Sequence, residues 1–146
     1  MVMRRSLALL LALTLAACGS AGTAGPSATP PPSPTASPAP SPVTSAKGAI
    51  TLKTPRLNET VSSPITISGD ASVFEATLQW RITDTAGRVI LEGIVTASQG
   101  APGRGDFSKS TTFSVSGPTP AFVEVYSRSA KDGNIDELVR IPVLLR

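Results

Sequence analysis

Residues 73–83 read VFEATLQWRIT. From Phe74 onward every second residue is apolar (Phe74, Ala76, Leu78, Trp80, Ile82), and the residues between, Glu75, Thr77, Gln79, Arg81 and Thr83, are polar. A period of two sustained this long fits a strand with one face on a core and the other in water. Shorter runs obey the same rule: Ile50 and Leu52; Ile65 and Ile67; Val89 and Leu91 with Ile94 and Val95; Phe107 and Phe113 with Val115; Phe122, Val123 and Val125; Val139, Ile141 and Val143. Turn residues separate them, among them Asn58-Glu59, residues 84–87, 100–106 and 117–120, and Asp132-Gly133-Asn134. No segment carries a helical period. Seven short strands at this spacing within residues 48–146 predict an all-β, immunoglobulin-like β-sandwich with Trp80 on a central strand in its core.

Nothing before residue 48 could build such a core. The chain has one cysteine, Cys18, and no histidine, so no internal disulfide can form and the commonest general base and metal ligand are missing. No residue from 6 to 46 is charged, and every acidic residue lies at or beyond Glu59. Three segments follow: 1–17, 18–47 and 48–146. Arg4 and Arg5 form a basic start, residues 7–15 an apolar run, and Ala16-Ala17 the small residues of a cleavage site, the pattern of an export signal. The apolar run is too short to cross a bilayer, which needs about 20 residues.

Leu15-Ala16-Ala17-Cys18 resembles the bacterial lipobox, in which the cysteine thiol takes a diacylglyceryl group and becomes the new amino terminus. The resemblance implies that Cys18 is the lipidation site, an anchor and not a nucleophile. Two or more acyl chains hold a protein durably on a membrane where one gives marginal attachment. Gly19 and Ser20 lack the aspartate that often retains lipoproteins at an inner membrane, so a cell with two membranes could carry the protein on the outer one. From Gly19 to Lys47 the chain holds eight prolines, six serines, four threonines and six alanines. Such a tract favours polyproline II, about 3.1 Å per residue, and predicts a disordered stalk that could reach roughly 90 Å.

The order of PRLNETVSSPITISGDASVFEATLQWRITDTAGRVILEG, GRGDFSKSTTFSV, VEVYSRSAKDG and IPVLL resembles the Gmad-type immunoglobulin-like domain of bacterial spore germination, from about Ile50 to Leu145. The resemblance is most specific at Val61-Ser62-Ser63-Pro64, Ser68-Gly69 and Phe74-Glu75-Ala76. It implies an extracytoplasmic sandwich often joined to a second germination-type domain, which this sequence does not contain.

Several motifs invite chemistry and carry little of it. Arg104-Gly105-Asp106 spells an integrin-type tripeptide in a glycine-rich loop, but Gly100, Gly103 and Gly105 are explained equally by positive φ angles. Asp132, Asn134, Asp136 and Glu137 start a calcium-loop spacing that fails at position six, Glu137, and at position twelve, Val143; a hairpin turn at Asp132-Gly133 is the simpler reading. Glu75 would face solvent and pair across strands with Arg81 or Arg88. Tyr126 is the best ring for stacking on a sugar or base, and Pro142 suggests that the final strand lies at an edge. No catalytic, metal or cofactor site is expected.

Without Arg4 and Arg5 the charges number 11 against 10, scattered singly, which argues against nucleic acid. These features predict a lipid-anchored, extracytoplasmic, non-catalytic module that contacts an unknown protein or envelope polymer, held to the membrane through the lipid on Cys18. The alternative is a structural envelope spacer with no specific ligand.

Overall fold

The computed structural model describes residues 41–146; Cys18 and most of the proline-rich tract lie outside the described residues. Nine strands form, β1 (Val43–Thr44), β2 (Ile50–Thr54), β3 (Glu59–Val61), β4 (Ile65–Ala71), β5 (Thr77–Asp84), β6 (Val89–Thr96), β7 (Gly105–Thr111), β8 (Thr119–Arg128) and β9 (Ile135–Leu145). They make two sheets, ordered β1-β2-β4-β7 and β3-β9-β8-β5-β6. All pairings are antiparallel except β3 with β9, which run parallel from Glu59 opposite Val143 to Val61 opposite Leu145.

Alternation drives each sheet onto the other. In β9 the residues Glu137, Val139, Ile141, Val143 and Leu145 point inward, and in β5 the inward set is Leu78, Trp80 and Ile82. Apart from Glu137, these residues form one continuous apolar core with Ile50, Leu52, Ile65, Ile67, Val123 and Val125. Each fully buried side chain of this size stabilises the fold by about 1.5–3 kcal/mol, so the sandwich closes without a disulfide. The β5–β6 hairpin turns at Gly87 (φ +82°), where Asp84 accepts hydrogen bonds from the backbone N–H groups of Ala86 and Arg88, both at 2.9 Å.

Several expectations need correction. Seven strands become nine, because β1 and β3 are too short to show a period. The sheet begins at Val43, where Val43 pairs with Leu52, inside the stretch whose composition reads as linker. The alternation of residues 73–83 does not begin a strand at Phe74: Phe74–Ala76 is a single 3₁₀ turn, and β5 starts at Thr77. Phe113 and Val115 lie beyond β7 and only rest on the core's rim. Finally, the edge expected at β9 is only partial: β8 pairs along one side of it, β3 covers residues 143–145 on the other, and residues 135–142 have no strand there.

Four loops gather at one end of the sandwich: residues 45–49, 72–76, 97–104 and 129–134. Ile50 and Ala71, paired at the mouth of the β2–β4 ladder, mark this end. Glu137 fastens it. Its carboxylate is 4% exposed and accepts a hydrogen bond from the Ser45 hydroxyl and bonds of 3.2 and 3.3 Å from the Lys47 backbone N–H, while Ser45 Oγ accepts from the Ile50 N–H at 3.0 Å. The turn between β1 and β2 is thereby tied across the sandwich to β9.

Candidate functional site

The outward face of the five-stranded sheet carries a ladder of arginines and rings. Register places Arg81, Glu124 and Arg140 side by side on β5, β8 and β9, and places Gln79, Tyr126 and Leu138 in the next row. Glu124, with 5% of its side chain exposed, accepts from Arg81 and lies 3.2 Å from Arg140 Nε. Its hydrogen bond to Arg81 outweighs the desolvation there and raises that guanidinium's pKa further above its ordinary value. Arg140 sits 3.9 Å above the Phe122 ring, and Arg81 and Arg128 lie 5.3 and 5.4 Å from the centre of the Tyr126 ring. Such cation–π contacts contribute about 0.5–2 kcal/mol each and hold the guanidinium planes in place.

The charge on this face does not balance. Glu124 serves two arginines, and Arg128 donates only to neutral acceptors, Gln79 Oε1 at 2.9 Å and the Gly133 carbonyl at 2.8 Å. Glu92, opposite Arg81 on β6, is the remaining nearby carboxylate. Ile94, 63% exposed, and Leu138 add apolar surface at the margins. A shallow groove of about 350 Å³ runs between Gln79, Glu92, Ile94, Tyr126 and Arg128.

A second concavity, about 480 Å³, opens at the loop end of the sandwich among Ala49, Val73, Phe74, Ala101, Arg128 and Lys131. Phe74 is 64% exposed beside it. The turn that presents Phe74 is unusual, because Glu75 (φ 52°) and Ala76 (φ 55°) both occupy the left-handed region that side chains disfavour. Hydrogen bonds hold that backbone: Ala97 N–H to Ala76 O at 2.8 Å, Ala101 N–H to Val73 O at 2.9 Å, and Ala76 N–H to Val73 O at 3.2 Å. Gly100 lies against the turn so closely that a Cβ there would come 2.8 Å from Ala76 N.

The tripeptide Arg104-Gly105-Asp106 is not displayed for recognition. Arg104 is bound to Asp70 and to the Gly48 carbonyl, Gly105 is buried at the start of β7, and Asp106 pairs with Lys53 at 3.1 Å. Burial pushes the Asp70 carboxyl upward, yet the hydrogen bonds from Arg104 and Lys53 outweigh it and hold it below its ordinary range. Contrary to expectation, Gly100, Gly103 and Gly105 do not adopt positive φ angles; Gly100 and Gly105 are needed because neighbouring backbone, Ala76 in one case and Gln99 in the other, fills the space of a side chain.

The remaining residues fall as follows. Asp132 and Gly133 (φ +73°) form the β8–β9 turn, and the Asn134 N–H donates to Asp132 at 3.1 Å, holding that carboxyl below its ordinary range. Asp136 pairs with Lys47 at 2.6 Å and Glu137 is the internal tie described above, so the calcium-like spacing is spent on structure. Among the described residues no three His, Cys, Asp or Glu side chains converge in a metal-holding group. Glu75 does not pair with Arg81 or Arg88, whose carboxylate partners are Glu124 and Asp84. Tyr126 is buried beneath its arginines and cannot stack on a ligand; the exposed ring is Phe74. Sequence reasoning missed the arginine ladder, although Arg81 and Arg140 stand at the polar phase of two strands whose pairing would align them.

Two facing sheets, a core without a disulfide and loops gathered at one end define an immunoglobulin-like β-sandwich. Residues 49–134 match the model of the immunoglobulin-like domain of bacterial spore germination, Gmad2, and the chain belongs to that family. Among solved structures it is similar to CopC from Methylosinus trichosporium OB3b, at 17% identity over 71% of this chain and 90% of that one, with a TM-score of 0.37. No curated protein sequence matches it.

Proposed function

We propose that this protein is a non-catalytic binding module of the bacterial cell envelope, exported, anchored through lipid on Cys18 and carried on the proline-rich tract. It contacts an anionic protein or envelope polymer with the outward face of the five-stranded sheet. The observation that carries the reading is the arrangement of Arg81, Arg128 and Arg140 over the Tyr126 and Phe122 rings with one buried carboxylate among them. Arginines fixed in this way lose little freedom when they bind carboxylate or phosphate, and so favour recognition over mere solubility. The export signal and lipobox-like Cys18 support the location.

The test compares the full-length protein with the double variant Ile94→Asp/Leu138→Asp, which places negative charge at two exposed positions of this face without entering the core. Both are purified in detergent and sedimented with washed envelope preparations. Saturable, salt-sensitive binding by the wild type and loss of it in a variant with unchanged thermal unfolding supports the reading. Equal sedimentation of the two proteins, or none by either, favours a spacer with no ligand. Cys18→Ala should release the protein from membranes or stop its processing.

A further inference from the structure

We infer that the loop-end recess beside Phe74 is a second, separate binding site, and that its ligand is a carboxylate-bearing sugar. Sugars are amphipathic rings, with C–H groups on a face, hydroxyls around the rim and, in acidic sugars, one anionic substituent. The recess offers a partner for each part.

The ring partner is Phe74. An exposed apolar ring costs stability in water, and the two left-handed residues that follow it add strain of order 1–3 kcal/mol each. The surrounding hydrogen bonds from Ala97 and Ala101 and the close seat of Gly100 hold the turn regardless. A ring carried on backbone that is fixed before binding has only its own side-chain rotation to lose, and its flat face suits the C–H face of a sugar. The lining beside it mixes apolar Ala49, Val73 and Ala101 with the hydroxyl-bearing residues Ser72, Ser127 and Ser129. This mixture of apolar surface and few polar groups is that of small-molecule sites, whose usual size of about 300–1,000 Å³ spans the recess.

The anion partner is Lys131. Asp136, the only carboxylate lining the recess, is already held by Lys47 at 2.6 Å. Lys131 has no carboxylate partner among the described residues, whereas Arg128 at the rim is turned onto Tyr126, Gln79 and the Gly133 carbonyl and belongs to the sheet face. The recess is thus lined by one uncompensated cation, Lys131, and by the strongly exposed ring of Phe74. An extended acidic peptide would use the charge but has no need of a preset ring at a closed loop end, and a bare phosphate would use neither ring nor apolar lining.

The experiment titrates the full-length protein in detergent with N-acetylglucosaminyl-N-acetylmuramic acid, which bears a carboxylate, and with N,N′-diacetylchitobiose, which does not, by calorimetry. Inorganic phosphate and a glutamate-rich hexapeptide are run alongside. Binding of the acidic disaccharide about tenfold tighter than the neutral one is expected, since a charge-assisted contact is lost in the latter. Phe74→Ala should weaken both sugars by about tenfold, and Lys131→Gln should erase the preference between them. Ile94→Asp/Leu138→Asp should leave sugar binding unchanged, which separates this site from the sheet face whether or not that face binds anything. No saturable binding of the acidic disaccharide, equal affinity for the two sugars, insensitivity to Phe74→Ala, or tighter binding of the peptide or phosphate would each overturn the proposal.

Discussion

The indole of Trp80 lies against Gly93 of the neighbouring strand, so closely that a Cβ on Gly93 would come 2.7 Å from Trp80 Cζ2. The two residues are partners in the β5–β6 ladder, and the missing side chain is the space the indole fills. Trp80 is 2% exposed and its Nε1 has no hydrogen-bond partner among the described residues, so the ring acts through packing alone. Trp80→Ala is expected to cost about 3–5 kcal/mol. Gly93→Ala should cost about 1–3 kcal/mol by overfilling the same space. Chemical denaturation followed by circular dichroism checks both; a Gly93→Ala variant as stable as the parent would show that the contact yields freely.

This pair illustrates what was legible in the sequence and what was not. The burial of Trp80 follows from the period of its own strand. Its dependence on Gly93 does not, because strand register is a tertiary property. The same distinction explains Phe74, which continues the alternation of β5 in sequence yet stands outside the strand, because Glu75 and Ala76 take left-handed backbone that no periodicity encodes. It explains Glu137 as well. A carboxylate in an apolar strand phase reads as solvent-facing or metal-binding until Ser45 and the Lys47 backbone, some 90 residues away, are brought to it. The strands of the sandwich were readable, and the recess and the arginine ladder, which need register and loop geometry, were not.

Glu137 should therefore matter to stability in a way its type does not suggest. In Glu137→Ala the Ser45 hydroxyl and the Lys47 N–H lose their acceptor at a buried site, a loss of about 1–3 kcal/mol. Glu137→Gln keeps an acceptor oxygen and should lose less. Native-state hydrogen exchange should show the Ile50 amide losing protection in the alanine variant first, and an unchanged Ile50 amide would argue that the tie is incidental.

Glu124 is expected to behave as a brake on the arginine face. Glu124→Ala leaves Arg81 and Arg140 without their shared carboxylate, and since both remain partly exposed the cost should be about 1–3 kcal/mol, below that of breaking a fully buried pair. Affinity for anionic polymers should rise at the same time, with steeper salt dependence. Loss of stability without any gain in anion binding would mean that the ladder serves the fold only.

The last expectation concerns pH. The Asp84 carboxyl is held below its ordinary range by hydrogen bonds from the Arg88 backbone and side chain, Asp132 by the Asn134 N–H, and Asp70, against its burial, by Arg104 and Lys53. A folded-state pKa below the unfolded one means that the unfolded chain binds protons first as pH falls. The stability these groups supply is therefore complete above their ordinary value of about 3.9 and is lost as pH drops through the lower folded values. Lys47 and Lys53 shift the other way, raised by hydrogen bonds to Asp136 in the first case and to Asp70 and Asp106 in the second. What they supply is complete below about pH 10.4 and lost as pH rises through the higher folded values. The chain has no histidine to titrate between these limits. Thermal unfolding midpoints should accordingly form a plateau from about pH 5 to 9 and fall on both sides, the acid limb first. In Asp70→Asn the acid limb should become shallower, because one of the depressed carboxyls is gone while its neighbours remain. A midpoint that climbs or falls across neutral pH would reveal a titrating group whose environment differs from the one described.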